Sequence, residues 1–207
     1  AYEIPKRDWS SDVCSSDLGV RNLTACPLSG VCRTESFDVT PHSEALFRFL
    51  LGHPDCQDFG RKFKIAFSGC ADEACGLVMM HDLGAIARTD LVDGQPVQSF
   101  DVYVGGGLGT TPHQAKLLAG QVPLGELLPT VQAVSRVFAR LGEKKNRNRA
   151  RIKFLVSQVG IDEFARLVRE EREILPYDPR WTAHLEDGLP PEQPARALDR
   201  SEEHTSE

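Results

Sequence analysis

Between Arg61 and Ser68 the chain alternates with a period of two: Phe63, Ile65 and Phe67 fall on one side, and Lys62, Lys64 and Ala66 on the other. Side chains two apart on a strand point the same way, so a strand here buries one face and presents Lys62 and Lys64 together on the other. A strand of that kind needs neighbours to pair with and an apolar layer to lie on.

The rest of the chain supplies both. Val20 to Ala25 reads as a strand or a site loop. Thr40 before Pro41 predicts a helix start, with Ala45, Leu46, Phe49 and Leu50 on one face and Gly52 as its stop. Asp72 to Met80 reads as a helix and Gly84 to Arg88 as a strand. The Asp93-Gly94 turn leads to a further strand, Phe100 to Val104, which runs into Gly105-Gly106-Gly107. Apolar positions 127, 128, 131, 134, 137, 138 and 141 predict a long amphipathic helix closed by Gly142. Two more helices are predicted over 146–158 and 161–174. From 176 to 199 five prolines mark a linker without a core of its own. The expectation is an α/β (α+β) fold, a mixed β-sheet covered by helices.

Composition narrows the function. A chain of 207 residues with 41% hydrophobic content supports one core or at most two. It has no apolar run of the roughly 18 residues that a membrane helix needs and no basic-then-apolar leader, so neither a membrane protein nor an exported one is expected. A net charge of −6 argues against a nucleic-acid module. Six cysteines are too dilute for a disulfide scaffold and suit free thiols or a metal site in a reducing cytoplasm.

The two ends read as foreign to the protein. Arg200 to Glu207 can be written AGATCGGAAGAGCACACGTCTGAA, and its reverse complement, read one base out of phase, encodes Ser11 to Leu18. The pair resembles a sequencing adaptor translated in both directions, which makes 1–18 and 200–207 adaptor-derived tails. Residues 1–18 carry two basic and four acidic groups and 200–207 carry one and three, so residues 19–199 have a net charge of only −2.

Four features could carry chemistry. The first is the Lys62/Lys64 face, which also fits lysines guarding a sheet edge. The second is the run Lys144, Lys145, Arg147, Arg149, Arg151 and Lys153, with no acid inside it. Arginine forks match carboxylates and phosphates, so the run could grip a polyanion, and a solvated helix start is the other reading. Third, Gly105-Gly106-Gly107-Leu108-Gly109 follows a strand and would let a ligand approach the backbone, although it lacks the dinucleotide-fold spacing. Fourth, Cys26-x5-Cys32 and Cys70-x4-Cys75 could build a four-thiolate site, or could simply be buried thiols. His81-Asp82 reads as a satisfied histidine beside a cap.

Gly19 to Pro27, Gly60 to Ile65, His81 to Gly84, Val104 to Gly109 and Asn146 to Lys153 together resemble the siroheme-dependent assimilatory sulfite and nitrite reductases, in the family's order over residues 19–175. The resemblance implies reduction of sulfite to sulfide, or nitrite to ammonia, with six electrons taken from a ferredoxin or a flavoprotein. It implies two pseudo-symmetric halves around siroheme and a [4Fe–4S] cluster. This chain is identified with the siroheme-binding domain of the first half. By that resemblance Arg21, Lys62 and Lys64 hold the oxyanion over the iron and also contact siroheme, together with Asn22, Arg61, Arg147, Arg149, Arg151 and the glycines 105–107. Cluster ligands are expected from the second half, leaving Cys26, Cys32, Cys70 and Cys75 as packing residues. A small four-cysteine iron–sulfur module is the alternative.

Overall fold

A computed structural model describes residues 19–72 and 75–186; both tails read as adaptor-derived lie outside the described residues. Five strands form one sheet in the order β1-β2-β3-β4-β5: Val20–Thr24, Phe63–Ser68, Leu83–Val92, Gln95–Val104 and Lys116–Pro123. β1, β2 and β3 run parallel, whereas β3, β4 and β5 are antiparallel to one another. The sheet is therefore mixed, as the sequence predicts.

Its connections follow from the local residues. β1 crosses to β2 through helix α1 (Thr40–Leu50), whose chain turns at Gly52 with φ 71°. Thr40 is the first helical residue rather than the cap, and Asp38 Oδ1 accepts its N–H at 2.8 Å. Asp93 and Gly94, with φ 52° and 77°, make the tight β3–β4 turn.

Helices α2 (Leu127–Leu141), α3 (Ile152–Val159) and α4 (Ile161–Glu173) lie on one face of the sheet with α1. Phe63, Ile65 and Phe67, Leu83, Ala85 and Ala87, and Phe100, Val102 and Val104 all point into this layer. The alternation read in Arg61–Ser68 is thus the core pattern of the whole sheet. α2 is buried on more sides than an amphipathic stripe requires: Gln132 and Ser135 are buried as well, and Leu141 is exposed. The helix is central because α4 and the 179–181 turn pack on its far side.

Four expectations change. Among the described residues of 72–80, a 3-10 turn over Val78–Met80 stands where a longer helix is expected. Leu77 adopts φ 56°, outside the helical region, and Gly76 lies against the backbone of Phe67, where a Cβ would come within 2.0 Å of its carbonyl oxygen. β5 was not expected, because Gly120 and Gln121 break its alternation at a register shift stapled by Asp101, whose Oδ1 accepts the Gln121 N–H at 3.0 Å. The helix predicted from 146 begins only at Ile152, because Asn146 closes a separate 3-10 turn over Arg147–Arg149. Finally, the described part of the proline-spaced stretch, 176–186, packs on the body. Trp181 is 3% exposed, and α5 (Ala183–Glu186) contacts α1.

Candidate functional site

The helix-covered face leaves the other side of the sheet for Asn22 and Lys64, which are register partners on β1 and β2. Lys62 precedes β2 by one residue, and Lys62 and Lys64 are partly exposed opposite the phenylalanines. Arg21 is exposed at the register shift between Val20 and Asn22.

The second basic segment is joined to the start of β2. Gly60 permits it: a Cβ there would lie 2.1 Å from the Glu143 carbonyl oxygen, so only glycine lets the start of β2 meet the chain before α3. Across that junction Arg61 Nη1 donates to the Arg147 carbonyl at 2.8 Å. Glu143 shapes the loop by accepting the N–H groups of Lys145 and Asn146 at 2.6 and 3.0 Å, which hold its carboxyl below the usual range. The two cationic segments, 86 residues apart in sequence, are joined.

Asp82 fastens the junction from within. It has no exposed surface; Oδ2 accepts the Lys64 N–H at 3.0 Å, and Oδ1 accepts from Arg151 Nε and Nη2 at 3.1 and 2.7 Å. Burial pushes the Asp82 carboxyl up, and the Arg151 guanidinium opposes that rise. Sequence reading reduced Asp82 to a cap. Its signal, an acid directly before a strand parallel to the lysine strand, takes meaning only once that pairing is known.

The six-cation run divides accordingly. Arg147 and Arg149 are exposed, and among the described residues no ion pair engages Arg149 or Lys64. Arg151 is committed to Asp82. Lys153 is buried, its Nζ donating to the carbonyls of Leu108 and Thr111 at 3.2 and 2.5 Å, so it anchors the glycine-rich loop. Burial lowers its pKa. Lys144, Lys145, Arg149, Arg140 and His113 line an open groove of about 1380 Å³.

Gly105, Gly106 and Gly107 are buried against the protein itself. A Cβ on Gly105 would meet Val156 at 3.2 Å, one on Gly106 the His81 carbonyl oxygen at 2.5 Å, and one on Gly107 the Arg151 guanidinium at 2.9 Å. Their smallness positions Arg151 and the 79–81 backbone.

Among the cysteines, Cys26, Cys56 and Cys70 are buried. Among the described residues no group of three or more His, Cys, Asp or Glu side chains is placed to hold a metal ion, so the four-thiolate reading finds no site there. No helix among them is long and apolar enough to cross a membrane.

Comparison with known proteins gives the family. The family described as "Nitrite and sulphite reductase 4Fe-4S domain" matches residues 16–174. A sulfite reductase [ferredoxin] of Mycobacterium tuberculosis is 33% identical over 165 residues, which cover 75% of this chain and 29% of that protein. An assimilatory ferredoxin-dependent nitrite reductase of Haloferax mediterranei is 30% identical over 78% of this chain and 28% of its own length. The solved structure of Mycobacterium tuberculosis NirA superposes with a TM-score of 0.68 at 33% identity, over 77% of this chain and 28% of that one. A dissimilatory sulfite reductase shares the fold with a TM-score of 0.59 at 11% identity. The chain spans less than a third of the length of the curated relatives named here. With a matched segment running from before β1 to the end of α4, the chain belongs to the nitrite and sulphite reductase family.

Proposed function

We propose that this chain is the siroheme- and oxyanion-binding part of a cytoplasmic sulfite or nitrite reductase that takes electrons from ferredoxin and works with a second half of the same polypeptide. One observation supports the reading: Arg61 Nη1 bonds the Arg147 carbonyl while Asp82 bonds both the Lys64 N–H and the Arg151 guanidinium, so two distant basic segments meet at one junction.

The donor set fits a tetrapyrrole rimmed with carboxylates. Arg147 and Arg149 offer planar forks for bidentate carboxylate pairing, with Asn22 and Arg61 beside them. Arg151 is a positioning residue here, since Asp82 engages its guanidinium, and Gly105 to Gly107 make room for that pair. Arg21, Lys62 and Lys64 contact siroheme and bind the oxyanion, and the lysine Nζ groups stabilise charge developing on its oxygen and donate protons as water leaves. When bound, siroheme and its [4Fe–4S] cluster would relay the electrons of ferredoxin to the oxyanion, the cluster ligands coming from outside these residues.

Titrating siroheme into the full-length protein, followed by absorbance, tests this. Lys62→Ala and Arg149→Ala are each expected to weaken binding about ten-fold, roughly 1.4 kcal/mol. Unaltered affinity in both variants would overturn the assignment.

A further inference from the structure

The loop after β1 and the segment after β2 bring two thiols together. Cys32 Sγ lies 3.9 Å from Cys70 Sγ, and Thr34 Oγ1 sits between them, 3.2 Å from the first and 3.5 Å from the second. We propose that Cys32 and Cys70 are a redox pair that closes to a disulfide on exposure to a hydroperoxide.

The surrounding backbone is already arranged for closure. Cys26 N–H donates to the Phe67 carbonyl at 3.1 Å and Ser36 N–H to the Gly69 carbonyl at 2.7 Å, so the two segments are stapled on both sides of the pair. Gly69 packs directly on Glu35, where a Cβ would lie 3.1 Å from the glutamate Cβ. Cys70 is fixed by Ser68, whose Oγ donates to the Cys70 carbonyl at 3.1 Å and accepts the Cys70 N–H at 3.4 Å. A disulfide needs sulfurs about 2.05 Å apart, and the exposed loop carrying Cys32, with Val31 77% exposed, is the side that can move.

The thiols differ in the way such chemistry requires. Cys32 is partly exposed, and hydrogen bonds from the Thr34 hydroxyl and N–H favour its thiolate. Cys70 is 1% exposed; the Thr34 hydroxyl favours its thiolate, but burial and the neighbouring Cys32 together outweigh it and push the thiol up. The Cys32 thiolate attacks one peroxide oxygen, breaking the O–O bond; the other oxygen leaves, after protonation, as water or an alcohol. The Cys70 sulfur then attacks the Cys32 sulfenic acid, breaking its S–O bond, and the Cys70 proton leaves with the hydroxyl as water. Two thiols lose two electrons, and the hydroperoxide gains them. The new bond closes a loop containing α1 and β2, the strand that carries Lys64.

The test treats the reduced full-length protein with stoichiometric hydrogen peroxide, alkylates the remaining thiols and maps the peptides by mass spectrometry. A dithiothreitol-sensitive Cys32–Cys70 cross-link is expected in the unmodified sequence and in Cys75→Ser alike. Alkylation of both Cys32 and Cys70 after peroxide, or a bridge from either one to Cys26 or Cys75, would overturn the pairing.

Discussion

Arg151 places Nη2 2.7 Å from Oδ1 of Asp82, a carboxylate with no solvent-exposed surface, and so ties the segment before α3 to the entrance of β3. Removing one member leaves the other charged and buried. Asp82→Ala and Arg151→Ala are each expected to destabilise the protein by about 3–5 kcal/mol in urea unfolding. The double variant should lose clearly less than the sum, because the second removal takes away a charge already stranded. Additive losses would mean that the pair is not the unit holding the two segments together.

Gly106 faces backbone and Gly109 faces open space, which separates steric need from conformational need. A Cβ on Gly106 would lie 2.5 and 2.6 Å from the carbonyl oxygens of His81 and Met79, which cannot swing aside. Gly106→Ala is expected to cost roughly 3 kcal/mol or more by overpacking. Gly109, at φ 114° with nothing within 4 Å, should cost only about 1 kcal/mol as alanine, from backbone strain. Equal losses by thermal unfolding would contradict the close approach at Gly106.

The sequence made β2 and α2 legible because the residues of their apolar patterns, Phe63, Ile65 and Phe67 and the stripe from Leu127 to Phe138, all enter the core, although neighbouring elements bury Ala66, Gln132 and Ser135 as well. It hid β5 because Gly120-Gln121 takes its order from Asp101 on the neighbouring strand. The cationic run was visible as composition but not as function. Arg149, Arg151 and Lys153 alternate along one short segment, yet one lines a groove, one pairs with an acid 69 residues away, and one anchors carbonyls of the glycine-rich loop. Periodicity carries no information about partners so distant in the chain.

Trp181 docks the described part of the proline-spaced stretch, 176–186, on the core. Its Nε1 donates to Gln132 Oε1 at 3.0 Å, Gln132 Nε2 in turn donates to Asp55 at 2.9 Å, and the Arg172 guanidinium lies 4.7 Å from the ring centroid. Trp181→Ala is expected to cost about 3–5 kcal/mol through the cavity it leaves. Trp181→Phe keeps much of the packing but strands the Gln132 acceptor, a loss of roughly 1–3 kcal/mol. Urea midpoints of the two variants should fall in that order; wild-type stability in Trp181→Ala would mean that the segment does not dock.

His42 makes stability fall on the acid side of neutrality. Its ring packs edge-on against Phe37 and Phe100, and its Nδ1 lies 3.2 Å from His184 Nε2. Burial first, and His184 second, lower its pKa from the usual 6.5 to about 4, with Asp38 opposing them. The folded state therefore holds this ring neutral, while the unfolded chain takes up a proton below 6.5. Stability from this group is complete above that value and drains away as the pH falls toward 4, by about 3 kcal/mol in all. His53 and His113, also lowered chiefly by burial, add slope of the same sign. In urea unfolding across this range, His42→Phe should preserve the ring stacking and remove the His42 share of the decline. An unchanged slope in that variant would place the acid sensitivity elsewhere.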